Sequence, residues 1–423
     1  MFLGFVPLLG ACSGPSGGGF ATPGSADVAS STLARDPAPD VSPADQAALE
    51  AGNASFAFDL FGALRRPSDN VFFSPYSITS ALAMTYAGAR GGTADELANA
   101  LHLTLPPERL HPAFDWLDLQ LAARAGAAVS DAGKPFALHV ASSLWGQRGE
   151  AWKQPFLDTL AVDYGAAIEL ADFEHDPRGA LGAINAWASG QTAGKIANLL
   201  PSGAVDADTR FVLANAIYFD ASWAHPFQAT ATSQATFTRG DASTEEVATM
   251  HAVDRFLYAE GEGWQAVELP YDGDQVAMDV VLPAAASEAA FDAGLTASGF
   301  ASVVAGLGLA KVHLALPKFA VSGGSVSVRA ALEQLGVRSA FAAGADLGGM
   351  CDDAMFLKDA VHQATLTVDE NGTEAAAATG GVTSTVTPQR EATVTVDHPF
   401  FFVIRDLPTG TVLFAGKIVE PNG

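Results

Sequence analysis

A change of hydrophobic period along the chain limits its possible folds more than any other feature. Ser42-Pro43-Ala44-Asp45 reads as a helix start, and Leu49, Phe56, Leu60 and Leu64 then recur at spacings of seven and four, on one helical face. Ser74-Pro75 supplies a second start, with serine as N-cap and proline at the first helical position, for a helix through Ile78, Leu82 and Tyr86 to Gly88. A third helix is predicted from Thr93, with Glu96 completing a capping box. Later the period changes. Phe211 to Phe219, Val276 to Leu282, Val312 to Leu316, Ala360 to Val368, Ala392 to Val396, Phe400 to Ile404 and Thr411 to Ala415 are short, β-branched or aromatic, and bounded by Pro, Gly or Asp. Helices first and strands later predict an α+β fold, not a doubly wound sheet.

Composition removes several function classes. The 423 residues are 49% apolar, enough for a sizeable core. A net charge of −25 leaves little with which to neutralise phosphates, so no nucleic-acid partner is expected. Cys12 and Cys351 cannot build a disulfide framework and lie in no metal-ligand spacing; the nine histidines are scattered, and no metal or cofactor is expected. Zincin, β-lactamase, Walker and dinucleotide motifs are absent, so the chain does not read as an enzyme.

Met1 to Ala11 is short and apolar and runs through Leu9-Gly10-Ala11 into Cys12. This resembles the cleavage box of bacterial lipoproteins, although the usual Lys or Arg before the apolar stretch is missing. It implies a signal over residues 1–12, Cys12 as lipid anchor, and a secreted or cell-envelope lipoprotein facing outward into the extracellular space. Membrane contact is expected only through that anchor. Residues 13–42 are rich in Ser, Gly, Ala and Pro with few large apolar side chains, and are expected to form a disordered tether.

The body carries a set of motifs in a characteristic order. They are Asn70-Val71-Phe72-Phe73-Ser74-Pro75 with Ile78; Asn215-Ala216-Ile217-Tyr218-Phe219 followed by Trp223 and Phe227; Glu268-Leu269-Pro270-Tyr271; and Leu316-Pro317-Lys318-Phe319. The carboxy end adds Val361 to Thr379 and Asp397 to Pro421. In this the chain resembles the serpin family over about residues 43–421. The resemblance implies helices packed around three β-sheets, an exposed reactive-centre loop at about 370–391, and a monomer that traps a target serine protease, or a cysteine protease, as a covalent complex.

The loop's own chemistry fits that use. No charged side chain lies between Glu374 and Arg390. Were the segment to become a strand, Thr373, Ala375, Ala377, Thr379, Gly381, Thr383 and Thr385 would share one face, all small enough to bury. A strand entering mid-sheet gains a ladder on both sides, on the order of a dozen hydrogen bonds at roughly 1 kcal/mol each. The resemblance makes Glu370, Gly372, Thr373, Glu374 and Ala375, Ala376, Ala377 and Ala378 the hinge, and a count along it reaches Val386-Thr387 as the bond cut. Counting backwards from His398-Pro399-Phe400 lands nearer Pro388; the first count is preferred because insertion distance constrains the amino side. Ser74, Ser77, Asn215 and His362 match the family's shutter beneath the sheet, and Trp223 with the Lys318-Glu370 pair matches the breach where the loop enters. Some serpins are activated by sulfated polysaccharides through a basic helix; here the corresponding stretch, Leu110 to Gly126, holds Asp115, Asp118 and only Arg124, so no polysaccharide cofactor is expected. The rival within the same fold is a serpin that binds or carries rather than inhibits.

Overall fold

The computed structural model describes residues 27–422 apart from 67, 125–136, 323–325 and 374–389. Nine α-helices are found among them: α1 (Pro43–Leu64), α2 (Pro75–Gly88), α3 (Gly91–Ala100), α4 (Pro107–Arg124), α5 (Gln154–Tyr164), α6 (Pro177–Gln191), α7 (Glu288–Gly294), α8 (Ala297–Ala305) and α9 (Arg329–Gln334). Ser42 and Ser74 cap α1 and α2 as predicted, each accepting from the backbone N–H three residues on, with Pro43 and Pro75 in the first turn. The capping box at Thr93 is not formed. α3 starts earlier, with Arg90 as N-cap, because Thr93 Oγ1 accepts from Asp346 N and Glu96 accepts from Arg338 N and Ser339 N. Tertiary partners outbid the local cap.

The first sheet takes, in spatial order, β1 (Val28–Ala29), β4 (Ile168–Ala171), β3 (Ala137–Gln147), β5 (Phe211–Ser222), β14 (Gly372–Thr373), β13 (Leu357–Asp369) and β11 (Phe319–Ser322), with β12 (Val326–Ser327) also on β13. The second takes β15 (Glu391–Thr395), β10 (Gly308–Pro317), β7 (Thr244–Gly261), β8 (Trp264–Pro270), β9 (Val276–Pro283), β16 (Phe400–Asp406), β17 (Val412–Ile418) and β2 (Val71–Phe73), with β6 (Ser233–Thr238) on β7. What the resemblance counts as three sheets, hydrogen bonding among the described residues joins into two. The 18-residue β7 pairs with β6 and β10 and then carries on into β8.

α2 lies under the first sheet against β3, β5 and β17, burying Ile78, Ala81 and Leu82. That fixes the position of its N-terminus, and hence of Ser74 and Ser77, beneath the central strands.

The tether expected over 13–42 ends earlier than composition suggested. Residues 27–42 follow the body: β1 pairs with β4, Leu170 N donates to Asp27 O, and Asp36 N donates to Val162 O. Arg35 Nε reaches Asp115 at 2.6 Å and its Nη2 reaches Asp118 at 2.6 Å, both on α4. Asp115 is buried, and its other oxygen has no hydrogen-bond partner. Strand pairing, the Arg35 contacts and the packing of Ala29 and Val41 on the core hold this segment, and an argument from overall apolar content does not detect them.

Candidate functional site: a gap in the first sheet

β5 and β13 run parallel and pair from Phe211 opposite Leu357 to Tyr218 opposite Thr365. Above that point they part, and β14 sits between them. Gly372 and Thr373 lie antiparallel to Asp369 and Val368 on one side and to Ser222 and Ala221 on the other. These are two of the predicted hinge residues, already held as strand. Gly372 has φ of +146°, and a Cβ there would stand 2.2 Å from Ala221 O, so only glycine fits. Thr373 is wholly buried, with its Oγ1 3.0 Å from the Tyr271 hydroxyl.

Trp223, Lys318 and Glu370, the residues matched to the breach, meet around this mouth. Trp223 stacks on Tyr271 with ring centroids 4.5 Å apart, and its indole N–H donates to Asp369 O at 2.9 Å. The backbone N–H groups of Trp223 and Phe227 donate to the carbonyls of Asn371 and Glu370. Lys318 Nζ donates to Glu370 Oε2 and Thr232 Oγ1 to Glu370 Oε1, both at 2.7 Å. Burial pushes the Glu370 carboxyl up, but the bonds from Lys318 and Thr232 outweigh it and hold it below the usual range. Lys318 is 38% exposed, so solvent screens the pair and it contributes about 1 kcal/mol at most.

Beneath the closed part of the gap Ser74, Ser77, Asn215 and His362, the residues matched to the shutter, come together. His362 Nε2 accepts from the Ser74 N–H at 3.1 Å, so its proton is on Nδ1, which donates to Asn215 Oδ1 at 2.5 Å. Asn215 Nδ2 donates to Ser77 Oγ at 2.6 Å and to Ser142 Oγ at 2.7 Å, while Ser74 Oγ donates to Leu413 O. The network thus ties β5 and β13 to each other and to α2. Burial lowers the His362 pKa to about 3, so the imidazole is neutral.

Ser142 on β3, Thr232 and the Tyr271 hydroxyl were not anticipated. Tyr271 stood in a quoted motif without a role; Ser142 and Thr232 carry no local signal. Glu374, Ala375, Ala376, Ala377, Ala378, Val386, Thr387 and Cys12 lie outside the described residues. No group of three or more His, Cys, Asp or Glu placed to hold a metal occurs among the described residues.

The sequence matches the family described as "Serpin (serine protease inhibitor)" over residues 51–421. The chain belongs to the serpin family. This serpin is 37% identical over 372 residues to an uncharacterized serpin-like protein of Thermococcus kodakarensis, covering 87% of this chain and 84% of that one. It is 35% identical over 393 residues to the leukocyte elastase inhibitor of Homo sapiens, covering 88% and 99%. Among solved structures, the thermophilic serpin tengpin in its native state superposes with a TM-score of 0.80 at 26% identity, covering 92% and 97%. Thyroxine-binding globulin in complex with thyroxine gives 0.77 at 27%, covering 89% and 100%. The α+β serpin fold inferred from the motifs is the fold observed.

Proposed function

We propose that this serpin is a suicide-substrate inhibitor of serine endopeptidases, cut at Val386-Thr387 and trapping the enzyme by loop insertion. β14 carries this reading: two residues of the loop already occupy the mouth of a gap closed below by the β5–β13 pairing. Continuing the β14–β5 register brings residue 383 opposite Phe211, the first residue of β5, and Val386 three positions beyond. Thirteen residues at about 3.3 Å each carry the cut end roughly 43 Å from Thr373, the full length of the sheet. Cutting after Arg390 instead would add four residues, or about 13 Å of slack.

The chemistry follows. The protease serine Oγ attacks the Val386 carbonyl, the bond to Thr387 breaks, and Thr387 leaves as an amine, so the enzyme stays joined to Val386 as an ester. Insertion then moves that ester away from the oxyanion donors that would complete hydrolysis. Val386, Thr385 and Ser384 are small and uncharged, which suits a shallow apolar pocket, and similarity to leukocyte elastase inhibitors points the same way. An elastase-like or subtilisin-like target is favoured.

The test is to mix the protein with elastase-, subtilisin-, chymotrypsin- and trypsin-like proteases and look for a denaturant-resistant complex. A released peptide beginning at Thr387 supports the bond; one beginning at Glu391 from a productive complex refutes it. Likeness to thyroxine-binding globulin keeps a carrier reading in view. That reading takes over if every protease cuts the loop and none is retained. We further propose an outward-facing lipoprotein held through Cys12, with the tether shortened to residues 13–26 because the chain from 27 onward is packed on the body.

A further inference from the structure

The turn that joins β13 to β14 is Glu370-Asn371, and the residue after it is Gly372. Of the eight asparagines in the chain, only Asn371 and Asn422 precede a glycine. That order carries chemistry of its own. An asparagine carboxamide is open to attack by the backbone nitrogen of the next residue, because closing a five-membered ring makes the reaction intramolecular, and glycine leaves that nitrogen unhindered by a side chain. The fold also fixes this glycine: φ of +146° and a Cβ position 2.2 Å from Ala221 O admit no other residue at 372.

The surroundings of Asn371 favour the attack. Asn70, Asn185, Asn215 and Asn422 have their carboxamides bonded to other residues, Asn422 through Nδ2 to Glu245 at 3.0 Å. Asn371 is half-exposed, and among the described residues none is hydrogen-bonded to its carboxamide. Its backbone is gripped instead: its N–H donates to Asp369 Oδ1 at 2.8 Å and its carbonyl accepts from the Trp223 N–H at 2.9 Å. The bond to the carbonyl draws electron density from the peptide link to Gly372 and makes that N–H easier to deprotonate. Gly372 pairs with both Asp369 and Ser222, so attack requires β14 to leave the sheet for a moment. Two residues of ladder make that opening far easier than for the long flanking strands β5 and β13.

We propose that Asn371-Gly372 is a site of self-modification that limits how long the intact molecule stays competent to trap. The Gly372 nitrogen gives its proton to water and attacks Asn371 Cγ; the bond to Nδ2 breaks and ammonia leaves, giving a cyclic imide. Water then opens the ring on either side. Opening at Cγ leaves an aspartate. Opening at the backbone carbonyl leaves an isoaspartyl link, whose main chain runs through Cβ and Cγ and is one methylene longer. Both products disturb the turn. The new carboxylate joins those of Asp369 and Glu370, where Lys318 is already bonded to Glu370. The longer link stretches a two-residue turn pinned at Asp369 Oδ1 and at the N–H groups of Trp223 and Phe227, and moves Gly372 where Ala221 O leaves no room. Gly372 and Thr373 then lose their register with β5, and no strand can be continued from them.

The loss of trapping rests on the inhibitor reading; the conversion itself does not, and the test reads them separately. Full-length wild type, Asn371→Gln and Thr373→Arg are held for weeks in mildly alkaline buffer at body temperature. Peptide mapping by mass spectrometry, with isoaspartyl methyltransferase labelling, reads residue 371. Pancreatic elastase and subtilisin read the stoichiometry of trapping by fresh and aged protein. Acid is expected to accumulate at 371 in the wild type, and several times faster in Thr373→Arg, where β14 is out of the sheet. The fraction of wild-type trapping lost should match the fraction converted, while Asn371→Gln, which would have to close a larger ring, keeps its trapping. Residue 371 no more converted than Asn422 overturns the site. Conversion with unchanged trapping, or an Asn371→Gln variant that ages as fast as the wild type, overturns the proposal and leaves the inhibitor reading standing. A fresh wild type that traps neither enzyme overturns the inhibitor reading and with it the loss of function assigned here, while the mapping still decides the conversion.

Discussion

Thr373→Arg tests the proposed insertion mechanism most directly, because Thr373 already lies as strand between β5 and β13. Its side chain is wholly buried between β5 and β13 and bonds the Tyr271 hydroxyl. A guanidinium held there, away from water, costs several kcal/mol. The intact protein has an escape: β14 can leave the sheet, forfeiting its short ladder and the Tyr271 bond at about 1 kcal/mol per hydrogen bond, roughly 3–5 kcal/mol in all. Everything below, including the β5–β13 pairing and the shutter, stays in place. The inserted form has no such escape, since residue 373 must enter first and stay flanked on both sides. A barrier raised by about 3 kcal/mol slows insertion more than a hundredfold, and hydrolysis of the ester then wins. The variant should melt within a few degrees of wild type yet be cleaved as an ordinary substrate by the enzyme the parent traps. Denaturing electrophoresis reads both products. Covalent complex at wild-type stoichiometry would show that burial of this position is not required and that the insertion mechanism is wrong for this loop.

Other expectations follow from the same contacts. His362 has its pKa depressed to about 3 in the fold against 6.5 when free, so its contribution is complete above about pH 6.5 and lost as pH falls towards 3. At pH 5 that is roughly 2 kcal/mol, measurable as a fall in melting temperature from pH 7.5 to 5 that flattens in His362→Gln. Arg35→Ala leaves Asp115 buried without its cation and should cost about 2–3 kcal/mol, most of it recovered when Asp115→Asn is added; thermal melts of the pair decide. The extended register brings Thr379 opposite both Asn215 and His362, so Thr379→Val should slow trapping without altering the uncut protein, read by stopped-flow against its melting curve. Cys12→Ser should move the protein from the membrane pellet of its host to the soluble fraction, and a soluble wild type would remove the anchor.

What could be read in advance depended on the kind of signal. Ser74-Pro75 announces a helix start by local chemistry alone, and the motif match then placed Asn215 and His362 beside it although they lie over a hundred residues away. Gly372 was assigned to the hinge, but its reason, a positive φ against Ala221 O, exists only once three strands are assembled. Thr93 and Glu96 had the right spacing for a cap and were drawn off by Asp346 and Ser339, partners no local pattern can reveal. β7 escaped notice because its pattern does not alternate cleanly: Thr249-Met250 and Tyr258-Ala259 are buried in succession, while Val253 and Leu257 face outward beside charged residues. Residues 27–42 misled for another reason: strand pairing and one arginine reaching a buried aspartate hold a segment whose composition is typical of linkers.

The pairing of β1 with β4 also bears on how such a sheet keeps company with other molecules. A sheet whose central strands part to hold Gly372 and Thr373 has backbone groups ready to bond an extended peptide, including one from a neighbouring copy. Its margins are correspondingly small targets. On one side lies β1, two residues that cover Ile168 and Glu169; on the other, β11 and β12 divide the margin of β13 into pieces of four and two residues. Neither offers the long, flat row of unpaired N–H and C=O groups on which chains aggregate edge to edge. The segment that precedes α1 thus shortens one margin of the sheet, and the place where a strand already enters is the interior, between β5 and β13.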